Sequence, residues 1–106
     1  AKERGFHHHV GLACSHDSFY IDNEEEVSAA WSKRGVLGSD METAALFTVA
    51  RLRGLKAASI LNNVVIWGED TGESIGSYAG GADPTALGEK NEITVALDAF
   101  VKALKN

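Results

Sequence analysis

Three groups of side chains in this sequence have the types and spacing to do chemistry. The first is the aromatic pair Phe19-Tyr20 with Asn23 shortly after it. A flat ring stacks on a planar face, and a primary amide presents a donor and an acceptor side by side. The second is Met41-Glu42. A thioether fills irregular space, and a carboxylate, ionised at pH 7, accepts from two hydroxyls at once. The third is the run His7-His8-His9 with His16 beyond it. On a strand His7 and His9 share a face and His8 points away, so at most two ligate from the run, and no acid or cysteine spacing completes a site. These read as strand-end histidines, and no metal is expected. Plain structural roles stand beside the first two groups. Phe19 and Tyr20 also serve to anchor a loop, Met41 to fill a core, and Glu42 to act as the acid of a helix-start capping box.

The elements that must position these residues follow from local signals. Residues 8–15 read as a short strand with Val10 and Leu12 on one face. Residues 17–23 have the Asp, Ser and Asn density of a loop. Residues 24–33 read as a helix with its acids in the first turn and Lys33 at the end, stopped by Gly35. Ser39-Asp40-Met41-Glu42 reads as a capping box with Ser39 as the N-cap, opening a helix that runs to Arg53 and is closed by Gly54. The broad apolar coverage of that helix predicts burial on more than one side. Residues 57–66 form a near-continuous apolar run of strand length, which suits a central parallel strand. Residues 67–82 are glycine- and acid-rich without a period and read as a long loop. Asp83-Pro84 then places an N-cap before a proline at the first helical position, and Leu87, Ile93, Leu97, Phe100, Val101 and Leu104 mark one face of a long helix.

Helices alternating with apolar strands predict an α/β class with a mixed or parallel sheet flanked by helices. Two convincing strands make a poor sheet, because an isolated pair is marginal. Ala1 to Gly5 also reads like the last turn of a helix closed by a C′ glycine. Both observations lead us to expect a domain truncated at its N-terminus.

Composition narrows the function classes. The chain has 106 residues, the size of one domain, and its 44% hydrophobic and 24% charged residues are ordinary for a globular protein. Fifteen acidic against ten basic residues give a net charge of −5, which disfavours a surface for nucleic acid or anionic membrane. The single cysteine, Cys14, excludes an internal disulfide and suits a reducing cytoplasm; it reads as a small core residue.

Residues 10–20 (Val-Gly-Leu-Ala-Cys-Ser-His-Asp-Ser-Phe-Tyr), followed by residues 35–47 (Gly-Val-Leu-Gly-Ser-Asp-Met-Glu-Thr-Ala-Ala-Leu-Phe), resemble the nucleoside phosphorylase family, most closely its uridine phosphorylase-like branch. In that family an S-x-D-x-F-Y loop precedes a helix opening with G-V-x-x-x-(E/D)-M-E-(A/S/T)-A, and residues 50–57 continue the likeness into the next strand. The resemblance implies that residues 1–106 are the C-terminal part of a phosphorylase-like α/β domain. It implies substrate-binding roles for Phe19, which would stack on the substrate, for Asn23, which would read the base, and for Met41 and Glu42, which would hold the ribose. No catalytic residue is assigned.

The implied reaction is phosphorolysis by the complete parent protein, uridine and phosphate giving uracil and ribose 1-phosphate. Inorganic phosphate is then a co-substrate, and no cofactor is implied. The resemblance further implies a homo-oligomer (a hexamer or its dimer unit) and a small-molecule nucleoside partner, and the net charge adds the expectation of no nucleic acid and no membrane. The alternatives are a purine nucleoside phosphorylase or nucleosidase relative, or a non-catalytic fragment that needs a missing N-terminal half. Two departures bear on the base. Asp22, Asn23 and Glu25 stand where uridine phosphorylases carry a glutamine and an arginine, and glutamate supplies acceptors in place of fixed donors. Val64-Val65 stands where bacterial purine phosphorylases carry Ser-Asp, and Asp70 substitutes only if its loop folds back. The family's phosphate-binding loop lies in its N-terminal part, and Gly80-Gly81 does not replace it, so the chain alone is expected to bind nucleoside poorly and turn none over.

Overall fold

The computed structural model describes residues 1–81 and 83–106. They form two compact units, one made of Val10–Ser59 and the other of Ala1–His9 with Ile60–Asn106.

The first unit is a β-α-β-α run: β1 (Leu12–Ser15), α1 (Glu24–Lys33), β2 (Val36–Asp40) and α2 (Thr43–Leu52). The two strands pair in parallel, with Leu12 opposite Val36, Ala13 opposite Gly38, Cys14 opposite Ser39 and Ser15 opposite Asp40. Parallel neighbours need a crossover, and α1 supplies it and lies against β2. Its three glutamates occupy the first turn and Lys33 the last, matched to the helix dipole. Gly35, at φ 80°, reverses the chain in a conformation that a side chain would strain. At the end of α2 the Gly54 N–H donates to the Arg51 carbonyl and the Leu55 N–H to the Ala50 carbonyl at 2.8 Å, a Schellman closure with Gly54 at φ 66°.

The α/β class and the helix over residues 24–33 match the sequence. Several expectations do not. β1 begins at Leu12, not at residue 8, and Val10 lies outside it, fully open. β2 replaces the expected capping box: Ser39 lies in the ladder opposite Cys14, so it is not an N-cap. Cys14 is only half-buried. The expected burial of α2 on several sides is confined to Ala50, the buried hydrophobic residue among those described, while Leu52 is 79% exposed.

In the second unit, a 3-10 turn at Lys2–Arg4 ends on Gly5 at φ 68°, as the C′ glycine signal predicts. Arg4 grips Asp98 through two hydrogen bonds of 2.5 and 2.9 Å, and Lys102 pairs with Glu3, which fixes the N-terminal segment to α4 (Asp83–Lys105). The strand expected over residues 57–66 does not form, because no strand among the described residues stands beside it to complete its hydrogen bonds. The segment is instead held by Asn62, whose amide donates to the Thr85 carbonyl at 3.0 Å.

The expected loop over residues 67–82 contains α3 (Thr71–Ala79), capped by the Asp70 side chain, which accepts from the Glu73 N–H at 2.7 Å. Gly72 and Gly76 within α3 obscure its period. The end of that loop at Ala82 and the expected Asp83 side-chain cap lie outside the described residues. α4 itself forms as expected, and its apolar residues Leu87, Ile93, Leu97, Phe100, Val101 and Leu104 are all exposed. No helix among the described residues is long and apolar enough to cross a membrane.

Candidate functional site

Because β1 and β2 run in parallel, the loop after Ser15 and the turn after Asp40 leave from the same end of the pair. The His16 N–H donates to the Asp40 carbonyl at 2.9 Å and extends the ladder by one bond. Ligands of open α/β sheets collect at the carboxyl ends of parallel strands. Phe19, Asn23, Met41 and Glu42 all lie in the segments that leave this end.

Met41 and Glu42 form the turn between β2 and α2. Glu42 occupies the N-cap position of α2 without making a side-chain cap bond. Its Oε2 accepts from the Met41 N–H at 3.1 Å, and its carbonyl accepts from the Leu46 N–H. The cap bond comes instead from Asp40, whose Oδ2 accepts from the Thr43 N–H at 3.0 Å and from the Thr43 hydroxyl. The Thr43 hydroxyl lies 3.0 Å from that of Ser59, and the Ser15 hydroxyl accepts from the Ala44 N–H at 3.1 Å. Burial pushes the Asp40 carboxyl up. The Thr43 and Ser15 hydroxyls and the Thr43 and Glu42 N–H groups outweigh that, so its pKa is lowered and it is ionised at neutral pH.

Phe19 and Tyr20 stand on the loop after β1, their rings edge to face with centroids 5.1 Å apart. The Ser18 hydroxyl donates to the Tyr20 carbonyl at 3.2 Å and shapes the turn between them. Phe19 is half exposed and Tyr20 almost fully so, which leaves aromatic surface open for stacking. Asn23 takes the N-cap position of α1; its carbonyl accepts from the Val27 N–H while its side chain makes no cap bond. Phe19, Asn23, Met41 and Glu42 therefore share one end of one unit. Among the described residues no hydrogen bond or ring contact joins the first two to the last two.

Sequence reasoning missed Ser15, Asp40, Thr43 and Ser59. The detectable signal was the aspartate three residues ahead of Thr43, since a short acid at that spacing reaches a first-turn N–H.

The remaining candidates lie in the second unit. A cavity of about 660 Å³ is lined by residues that include Asn62, Val64, Asp70, Glu73 and Thr85. The Asp70 carboxylate, which substitutes for the missing acid only if its loop folds back, is engaged in capping α3. His7 and His9 meet edge to face with centroids 4.9 Å apart, and His8 Nδ1–H donates to the Phe6 carbonyl at 2.8 Å. They lie outside any strand.

Comparison with known proteins agrees with the resemblance at the family level. The model described as "Phosphorylase superfamily" matches residues 1–73. A DeoD-type purine nucleoside phosphorylase of Clostridium beijerinckii is 36% identical over 104 residues, covering 96% of this chain and 40% of its own. The chain thus spans about two-fifths of that relative's length. DeoD-type enzymes of Clostridium perfringens (46% over 61 residues, 58% of this chain and 26% of theirs) and Bacillus subtilis (44% over 73 residues, 67% and 30%) are also similar. No solved structure matches.

Proposed function

The chain belongs to the phosphorylase superfamily, and from that membership we propose that it carries the nucleoside-holding part of an enzyme that cleaves purine nucleosides with inorganic phosphate. Its similarity to DeoD-type purine phosphorylases favours a purine over the uridine first expected. The observation that carries the reading is the turn Met41-Glu42 at the carboxyl end of the parallel pair, beside a loop that leaves Phe19 half open.

Phosphorolysis passes through a sugar with cationic character, so the site must orient the ribose and hold the base while phosphate attacks. Glu42 accepts from two ribose hydroxyls, Met41 lies against the sugar, Phe19 stacks on the substrate, and Asn23 meets the base edge. Phosphate is the co-substrate and no organic cofactor takes part. On this reading residues 1–106 are the C-terminal part of the domain, and the complete protein is a cytoplasmic homo-oligomer.

One observation favours uridine as the second reading. Val64-Val65 cannot donate a proton to a departing purine, and Asp70 is occupied at α3.

The test is residue-resolved titration of the 15N-labelled 106-residue chain with ribose, inosine and uridine. Ribose alone is expected to shift the Met41 and Glu42 amides, and inosine to shift Phe19 and Asn23 as well. Amides that stay still at millimolar inosine refute the site. Saturation by uridine at lower concentration than by inosine replaces purine with pyrimidine.

A further inference from the structure

The Asp40 carboxylate lies between two elements that the chain must hold in register, and no role assigned so far accounts for it. Its own strand ends there, opposite Ser15 at the end of β1. Its Oδ2 takes both the N–H and the hydroxyl of Thr43, the first residue of α2. Ser15 takes the next N–H of the same helix, that of Ala44, at 3.1 Å. Two consecutive first-turn donors of α2 are thus bound by the last residues of two different strands. Thr43 passes the connection to Ser59, beyond the far end of the helix, at 3.0 Å. Only Met41 and Glu42 separate Asp40 from Thr43, so this two-residue turn is fixed at both ends. Asp40 Oδ1 is buried with no hydrogen bond of its own, and the nearby Ser15 hydroxyl and Glu42 N–H offset the cost of holding it ionised there. Nothing about capping alone requires it, since serine or asparagine caps a helix as well.

We propose that Asp40 is the positioning residue of the Met41-Glu42 turn: it sets where the Glu42 carboxylate stands by tying the end of β2 to the first turn of α2, in concert with Ser15. It acts through Glu42 and needs no contact with a ligand. The ligand consequence rests on the nucleoside reading above; the positioning itself does not.

Amide hydrogen exchange on the 106-residue chain tests the positioning, and inosine titration tests its consequence. In Asp40→Ala, exchange at Thr43 and Ala44 is expected to accelerate about fivefold or more, the size of one lost cap. Met41 and Glu42 follow, while α1 keeps its wild-type protection. Asp40→Asn retains one acceptor oxygen and returns most of the protection. Inosine affinity falls about tenfold in the alanine variant and recovers in the asparagine variant. If Asp40→Ala does not fold, Ser15→Ala removes the Ala44 bond alone and is expected to loosen the same four amides to a smaller degree. Unchanged exchange at Met41 and Glu42, or acceleration spread evenly through Val10–Ser59, overturns the proposal. If the wild-type chain ignores inosine, the nucleoside reading fails while the exchange pattern still decides this one.

Discussion

Gly88 in α4 provides a test in which local and tertiary effects oppose each other. A glycine inside a helix costs about 1 kcal/mol relative to alanine, so Gly88→Ala should stabilise α4 on propensity alone. A methyl group at that position would land on the Asn62 amide, overlapping its oxygen and standing 2.8 Å from Cγ. The amide must therefore swing away and give up its 3.0 Å bond to the Thr85 carbonyl. That bond contributes about 1 kcal/mol, and a displaced rotamer costs up to about 1.5 kcal/mol more. The sum leaves Gly88→Ala between neutral and about 1.5 kcal/mol destabilising. In an Asn62→Ala background the obstruction is gone, and the same substitution should stabilise by about 1 kcal/mol. The expected coupling is about 1–2.5 kcal/mol, within the range of contacting residues. Exchange of the α4 amides near Lys90 reads it without requiring the whole chain to unfold together. Equal slowing of exchange by Gly88→Ala in both backgrounds refutes the claim that Asn62 clasps α4 at this glycine.

The remaining predictions concern the site and the charges. Glu42→Gln keeps an acceptor for the Met41 N–H but loses the charge; with about 1 kcal/mol lost at each of two ribose hydroxyls, inosine should bind about 30-fold more weakly, as measured by titration. Asp70→Ala removes the 2.7 Å cap of α3 and should speed exchange at Glu73 about fivefold with α4 unaffected. The Asp98 carboxyl is held below its ordinary value of 3.8, chiefly by its hydrogen bond to Arg4. Its contribution is present above that value and lost as pH falls through the lower folded one, and carbon-detected titration should show Arg4→Gln raising it. Burial, reinforced by Glu89, pushes Glu92 above its ordinary 4.5. The folded state then holds that proton longer, so stability should decline as pH rises from 4.5 through the raised value, and Glu92→Gln should remove the slope.

The elements legible in the sequence are those whose signals are local. The acids and Lys33 of α1 sit at its two ends, and Gly54 ends α2, because dipole matching and glycine closure act within a few residues. The apolar spacing of α4 likewise describes one helix face. Strands depend on a partner, and there the sequence misleads in both directions. Residues 57–66 have the composition of a buried strand, yet no neighbour among the described residues completes a ladder. Val36–Asp40 has a glycine at its centre and little β character, yet it pairs because α1 returns it beside β1. α3 was hidden for a different reason: its two glycines and short length leave Asp70 as the main start signal.

That single strand assignment changes the chemistry of the site. With Ser39 as the N-cap, Glu42 would be the returning acid of a capping box, and its carboxylate would be tied to the backbone three residues earlier. The ladder instead carries Ser39 into β2 and moves the cap to Asp40. Glu42 then lies at the helix boundary with no cap to make, holding only the adjacent Met41 N–H at 3.1 Å. One oxygen of a carboxylate accepts more than one donor, so hydroxyls can add to that contact without first unwinding the helix. The pairing of β2 with β1 thus separates the two acids of the turn: Asp40 is engaged in the cap, and Glu42 is left for the ligand role proposed above. Exchanging them tests the assignment: Asp40→Ala should loosen the backbone of the turn, whereas Glu42→Ala should leave the α2 amides protected and weaken only inosine binding. Equal loss of protection in both would mean that Glu42, too, belongs to the cap.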